Sequence, residues 1–160
     1  QFWTYLRGGI RRGLWEKSSI KLSFKNNNCE PPPEDYQGRA KSGQYCALSG
    51  KWEGKSKLEV DHIEGNVSLS SWDDVLPFIQ HMIPERGTLQ LVTKEAHKIK
   101  SHQEKQGFET FEEAACDKEA IQICKGDEKK WLSERGITPE SNAKLRREQV
   151  FQQLLKELED

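Results

Sequence analysis

The chain has 160 residues, 34% hydrophobic and 32% charged, with a net charge of −1 and a mean hydropathy of −0.89. That length suits one domain or a small domain with attached helices, and five Trp, six Phe and three Tyr give it large groups to bury, which argues against a disordered chain. No apolar run approaches the roughly 20 residues that span a bilayer, so no membrane association is expected.

The sequence shows no secretory leader, and it starts at Gln1 without an initiator Met, so it reads as a trimmed piece of a longer chain. Four cysteines, Cys29, Cys46, Cys116 and Cys124, are widely spaced and form no CxxC; reduced thiols in a cytoplasm are expected. The near-neutral total hides a polarity. Residues 1–30 carry six Lys/Arg against two Asp/Glu, whereas residues 108–160 carry nine against thirteen. A phosphate-binding surface must therefore be local, and the amino-terminal end is the better place for it.

In chain order, Phe2, Leu6, Ile10 and Leu14 lie four apart, the stripe of an amphipathic helix, with Arg7, Arg11 and Arg12 beside it as candidate phosphate contacts. Gly8 and Gly9 allow a break in that helix. The run NNNCEPPPEDYQGR reads as an extended connector because three successive prolines remove backbone donors. Short strand-like pieces follow: QYCALSG, KWEGK and KLEV, with turns at Gly50 and Gly54.

A short helix over SSWDDVLPFIQHMI takes Ser70 or Ser71 as cap, with Trp72, Val75, Phe78 and Ile79 expected inward. TLQLV is a second strand, and Thr93 caps a helix that ends at Gly107. Beyond Phe108 the pattern is helical. The last helix offers Ser141 as cap and Leu145, Val150, Phe151, Leu154, Leu155 and Leu158 as a buried stripe. Three regions result: residues 1–40, a basic helix and Pro-rich connector; 41–107, a mixed core; and 108–160, a helical extension. The fold class is α+β.

Chemistry concentrates at the end of KLEV, where Asp61 and His62 are adjacent, and on the helix after TLQLV, which carries His97. A hairpin with a helix packed on it can bring these three to one cleft. A carboxylate and a neutral imidazole suit Mg²⁺ or a divalent first-row ion with positions left for water and phosphate, and a neighbouring imidazole can act as general base. His81 reads as a packed residue and His102 as a surface one.

The pieces CALSG, LEVDHIEG, SWDDVLPF, LQLV and HKIKSHQE resemble the HNH endonuclease family, and in particular the short HNH proteins of tailed bacteriophages; the likeness covers about 60 residues from Cys46 to Glu104. It implies a ββα-metal core with a short hairpin, flanked by an N-terminal helix and C-terminal helices, and a DNA endonuclease, or a nickase if one site acts per encounter. Asp61 and His97 would hold one Mg²⁺ or Mn²⁺, His62 would be the general base, and Lys98 and Lys100 would meet neighbouring phosphates.

Two positions depart from the family. Its middle Asn, which fixes the loop carrying the base, corresponds to Thr88 here, with Asn66 a candidate substitute amide. Many members also clamp a zinc ion with four cysteines, at positions that are Cys46, Ser49, Thr93 and Ala96 here. One ligand of four survives, so no structural zinc is expected. The resemblance places the chain in the cytoplasm of a phage-infected bacterium, with DNA as partner and the C-terminal helices free for a homodimer or a phage protein. The competing expectation is a non-catalytic DNA-binding module on the same scaffold.

Overall fold

The structure is a computed structural model that describes residues 1–159 other than 66 and 84; Asn66, the candidate substitute amide, thus lies outside the described residues. The fold is mixed α+β, with two small antiparallel hairpins among helices. It divides into two compact units, Gln1–His97 and Lys98–Asp160. Among the described residues, no helix is long and apolar enough to cross a membrane.

The first unit opens with α1 (Phe2–Ile10), which runs straight through Gly8 and Gly9. The irregularity comes later, as a π-helical turn at Arg11–Trp15. That wider turn delivers Trp15 to the interior, where it is buried. An unforeseen helix follows, α2 (Ser19–Asn27), whose Ser18 hydroxyl accepts from the Lys21 N–H. Its sequence, SIKLSFKNN, has a weak apolar stripe between polar residues and so gives little periodic signal.

Strands β1 (Gly43–Tyr45) and β2 (Trp52–Gly54) form the first hairpin. Gly43 cannot be replaced freely there, because a Cβ would run into the Glu53 carbonyl oxygen and the Trp52 ring. Tyr36 packs on Trp52 with centroids 4.3 Å apart, while Tyr45 is exposed.

The second hairpin pairs β3 (Leu58–His62) with β4 (Leu89–Thr93) in the register Glu59↔Val92, Val60↔Leu91, Asp61↔Gln90 and His62↔Leu89. Side chains alternate along a strand, and cross-strand partners share a face. One face therefore carries Leu58, Val60, His62, Leu89 and Leu91; the other carries Glu59, Asp61, Gln90 and Val92. The first face builds the core with Trp15, Leu69, Phe78 and Met82, and with Trp3, Leu6, Ile10 and Phe24 packed against it.

Between these strands lies α3 (Val75–Met82). Ser70 and Ser71 do not cap it. Instead the Asp74 carboxylate reaches back and accepts from the Ser70 N–H, the Ser70 hydroxyl and the Ser71 N–H, each at 2.8 Å. Phe78 is buried as expected, but Trp72 is 71% exposed, its ring meeting Phe2 and Trp3 on the surface. α4 (Lys94–Gln106) follows β4 with no intervening loop; the Thr93 hydroxyl accepts from the Ala96 N–H at 3.1 Å, and Gly107 adopts a positive φ at its end.

The second unit holds the rest of α4, then α5 (Phe111–Ile123), α6 (Glu128–Glu134) and α7 (Ala143–Glu159). α5 starts with a full capping box between Thr110 and Glu113. Cys116, Ala120, Leu132, Val150 and Leu154 form its core. Asn142, not Ser141, serves the start of α7, its side-chain oxygen accepting from the Lys144 N–H. Leu145 and Leu158, expected in the buried stripe, are 51% and 57% exposed.

Candidate metal and nucleic-acid site

Because β4 runs straight into α4, His97 sits one turn into a helix that starts at the strand end, over the polar face of the second hairpin. Its Nδ1 lies 3.3 Å from Glu59 Oε2 and its Nε2 lies 3.4 Å from Asp61 Oδ1. A neutral imidazole has one N–H, so one of these carboxylates faces a lone pair. A metal ion between Nε2 and Asp61 Oδ1 would take up such a lone pair. The Gln90 side-chain amide donates to Asp61 Oδ2 at 3.2 Å from directly across the ladder, steadying that carboxylate.

Among the described residues, no group of three or more His, Cys, Asp and Glu side chains could hold a metal ion. Mg²⁺ is nonetheless ordinarily held by only one or two carboxylates, and it keeps its remaining positions for water and substrate phosphates. Two ligand bonds of about 2.1 Å meeting at 90–110° separate their donor atoms by about 3.0–3.4 Å. The Asp61–His97 gap falls in that range, and Glu59 stands behind the ring, where a carboxylate orients a ligating histidine.

His62 does not join this cluster as expected. Strand alternation sends it to the opposite, buried face, where its ring lies 4.1 Å from that of Trp15 and 4.3 Å from that of His81. With His81, Thr88, Glu64 and Gln80 it lines a cavity of about 350 Å³. Thr88 does serve the strand end that carries His62, but through its backbone: its carbonyl accepts from the Ile63 N–H at 2.9 Å, while its hydroxyl donates to the Glu85 carbonyl. His81 was read only as a packed residue, and no spacing rule links it to position 62.

A second cavity, about 530 Å³, is lined by Arg11, Lys21, Lys25, Lys94, Glu59 and His97 among others. Of the expected phosphate contacts, only Arg11 lines it. Arg7 donates to the Val67 carbonyl at 3.3 Å and lies over the Phe78 ring. Arg12 folds back along Gly8 and is exposed. In the second unit Lys98 is exposed, whereas Lys100 is buried with its ammonium 3.8 Å from Glu104 Oε1, so it does not lie open to a ligand.

The four positions where relatives of the resembled family carry zinc cysteines are joined by hydrogen bonds. The Thr93 N–H donates to Cys46 Sγ at 3.4 Å, and the Ala96 N–H donates to Thr93 Oγ1. Burial pushes the Cys46 thiol upward, but the Ser49 hydroxyl and the N–H groups of Thr93, Ser49 and Leu48 outweigh it and hold the thiol below its ordinary value. Cys46 is buried among these donors.

His102, read as a surface residue, is half-buried in the second unit: its Nε2 lies 2.7 Å from Asp117 Oδ2, and Arg147 donates to Asp117 Oδ1 at 2.6 Å. No protein-family model, curated protein or solved structure matches the chain.

Proposed function

We propose that the chain is a metal-dependent DNA endonuclease of the HNH kind, its first unit a ββα-metal core made of β3, β4 and the first turn of α4. The observation that carries this reading is His97, with one ring nitrogen on Asp61 and the other on Glu59. Asp61 and His97 would hold one Mg²⁺ or Mn²⁺, and the donor set fits a hard or borderline divalent ion. Such an ion supplies Lewis-acid stabilisation of the charge on a departing 3′ oxygen.

His62 is the proposed general base. Asp61 and His62 are the last two residues of β3, so they flank one strand end from opposite faces. His62 lines the cavity it shares with His81 and Thr88, and as general base it would take a proton from a water reached through that cavity. Thr88 steadies the base through its carbonyl rather than through the usual amide.

A second reading, a non-catalytic DNA-binding module, is favoured by the burial of His62 between Trp15 and His81, which restricts its access to water. Supercoiled plasmid incubated with Mg²⁺ or Mn²⁺, with and without EDTA, separates the two. The endonuclease reading predicts metal-dependent relaxation that is lost in Asp61→Asn and in His62→Ala, with DNA binding retained. Binding without relaxation by the parent protein would leave the second reading standing.

A further inference from the structure

The cavity beside Glu59 and His97 gathers like charges at some cost. Lys21 and Lys25, four residues apart on α2, project from one side of that helix, and Arg11 and Lys94 join them from the π-helical turn and from the start of α4. Two carboxylates, Glu16 and Glu59, line the same cavity against these four cations. Glu59 is already engaged by His97, and Lys94 Nζ reaches it only at 4.0 Å. Burial first, and then the charges of Arg11 and Lys25, hold the Lys21 ammonium below its ordinary range against the opposing pull of Glu16 and Glu59.

Two of the four cations are held in place. Lys21 Nζ sits 4.6 Å from the centroid of the Trp15 ring, and Lys25 Nζ donates to the Leu58 carbonyl at 2.5 Å, on the backbone of the strand that ends in Asp61 and His62. Trp15 itself is buried, so the cavity offers it as a rest for Lys21 and not as a platform for bases. Two fixed ammonium groups beside the exposed Arg11 and Lys94, without an exposed ring, suit a polyanion read by charge alone.

We infer that this cleft of Arg11, Lys21, Lys25 and Lys94 is a subsite for the phosphodiester backbone of a polynucleotide, which it seats alongside Asp61 and His97. The placement of that backbone next to a reacting phosphate rests on the endonuclease reading; the binding itself does not. Recognition at this subsite is independent of base sequence. It works through α2, the helix that periodicity did not disclose.

The test is fluorescence anisotropy with a 20-nucleotide fluorescein-labelled DNA, single-stranded and as a duplex, in EDTA between 50 and 300 mM NaCl. The full chain is compared with Lys21→Gln/Lys94→Gln and with Lys21→Arg/Lys94→Arg, and thermal unfolding checks that each variant is folded. The Gln pair should bind on the order of tenfold more weakly per side chain at 50 mM salt, and its salt slope should fall by about 0.7 to 0.9 per lost contact. The Arg pair should keep both affinity and slope.

Unchanged binding by the Gln pair, or equal weakening by the Arg pair, overturns the inference. So does failure of the parent to bind either oligonucleotide at 50 mM salt, or its displacement from them by phosphatidylserine vesicles. Failure of the endonuclease reading is distinguishable: it shows as no cutting with Mn²⁺ while charge-dependent binding in EDTA persists.

Discussion

His97 holds its two ring nitrogens against two different carboxylates, and the consequences differ for the two. Removing the Asp61 carboxylate takes away a proposed ligand. Removing the charge of Glu59 leaves the ligands intact but loosens the ring. Glu59→Gln should therefore weaken apparent Mn²⁺ affinity by about 10- to 100-fold, read from the metal dependence of plasmid relaxation, and leave maximal cleavage nearly unchanged. Asp61 and His97 were legible in the sequence because their types and neighbouring pieces fit a known pattern. Glu59 and Gln90 were not, because their roles are set by strand register: Gln90 meets Asp61 only once His62 is paired with Leu89. His62 shows the same limit from the other side, since adjacency in sequence means opposite faces in a strand.

In the second unit, Asp117 bears a pH dependence whose cause is visible. Burial raises its carboxyl, but the hydrogen bonds and charges of Arg147 and His102 outweigh this and hold it below the ordinary range. A depressed carboxyl stabilises the fold above the unfolded value of about 3.9 and loses that contribution as pH falls through the native value. Acid titration followed by circular dichroism should show this loss below about pH 4. Asp117→Asn should flatten that limb while destabilising the chain at pH 7 by about 1 kcal/mol, because the half-exposed Arg147 and the His102 ring lose their shared acceptor.

At the scale of elements, the junction of β4 with α4 does most to position the candidate site. Thr93 ends the strand, caps the helix and donates its N–H to Cys46. Thr93→Ala should cost about 1 kcal/mol in urea denaturation, and the loosened first turn should lower cleavage as well. This cap was legible, as was the stop at Gly107, because each follows from local backbone chemistry. The inward faces of helices were less legible. Hydrophobic residues recur on a helix whether or not a partner covers them, and so Trp72, Leu145 and Leu158, expected inside, are exposed, while Phe78, Val150 and Leu154 are buried as expected. Substitution should separate the two kinds: Leu132→Ala, fully buried in the second unit, costs about 2–5 kcal/mol, whereas Leu145→Ala stays within about 0.5 kcal/mol.

For the whole molecule, the charge polarity read from the sequence has a structural counterpart in the first unit. Arg11, Lys21 and Lys25 all come from the basic first thirty residues and line the cavity that reaches His97. The α+β class was legible from alternating strand pieces and helical runs. The division into units was less so, since it falls inside α4, after His97, where no loop, proline or glycine marks it. Each unit has its own apolar core, so EDTA should leave the thermal midpoint of the metal-free chain unmoved. Mn²⁺ at 100 times its dissociation constant should add about 2.7 kcal/mol to the parent's stability and nothing to that of Asp61→Asn.

Anomalous scattering from crystals of the chain grown with MnCl₂ and a short oligonucleotide reads the proposed ion grip without intermediaries. A single manganese peak is expected about 2.2 Å from both Asp61 Oδ1 and His97 Nε2, with Glu59 still on the Nδ1 side of the ring. A peak elsewhere, or a direct contact between those two side chains with no metal between them, would contradict it.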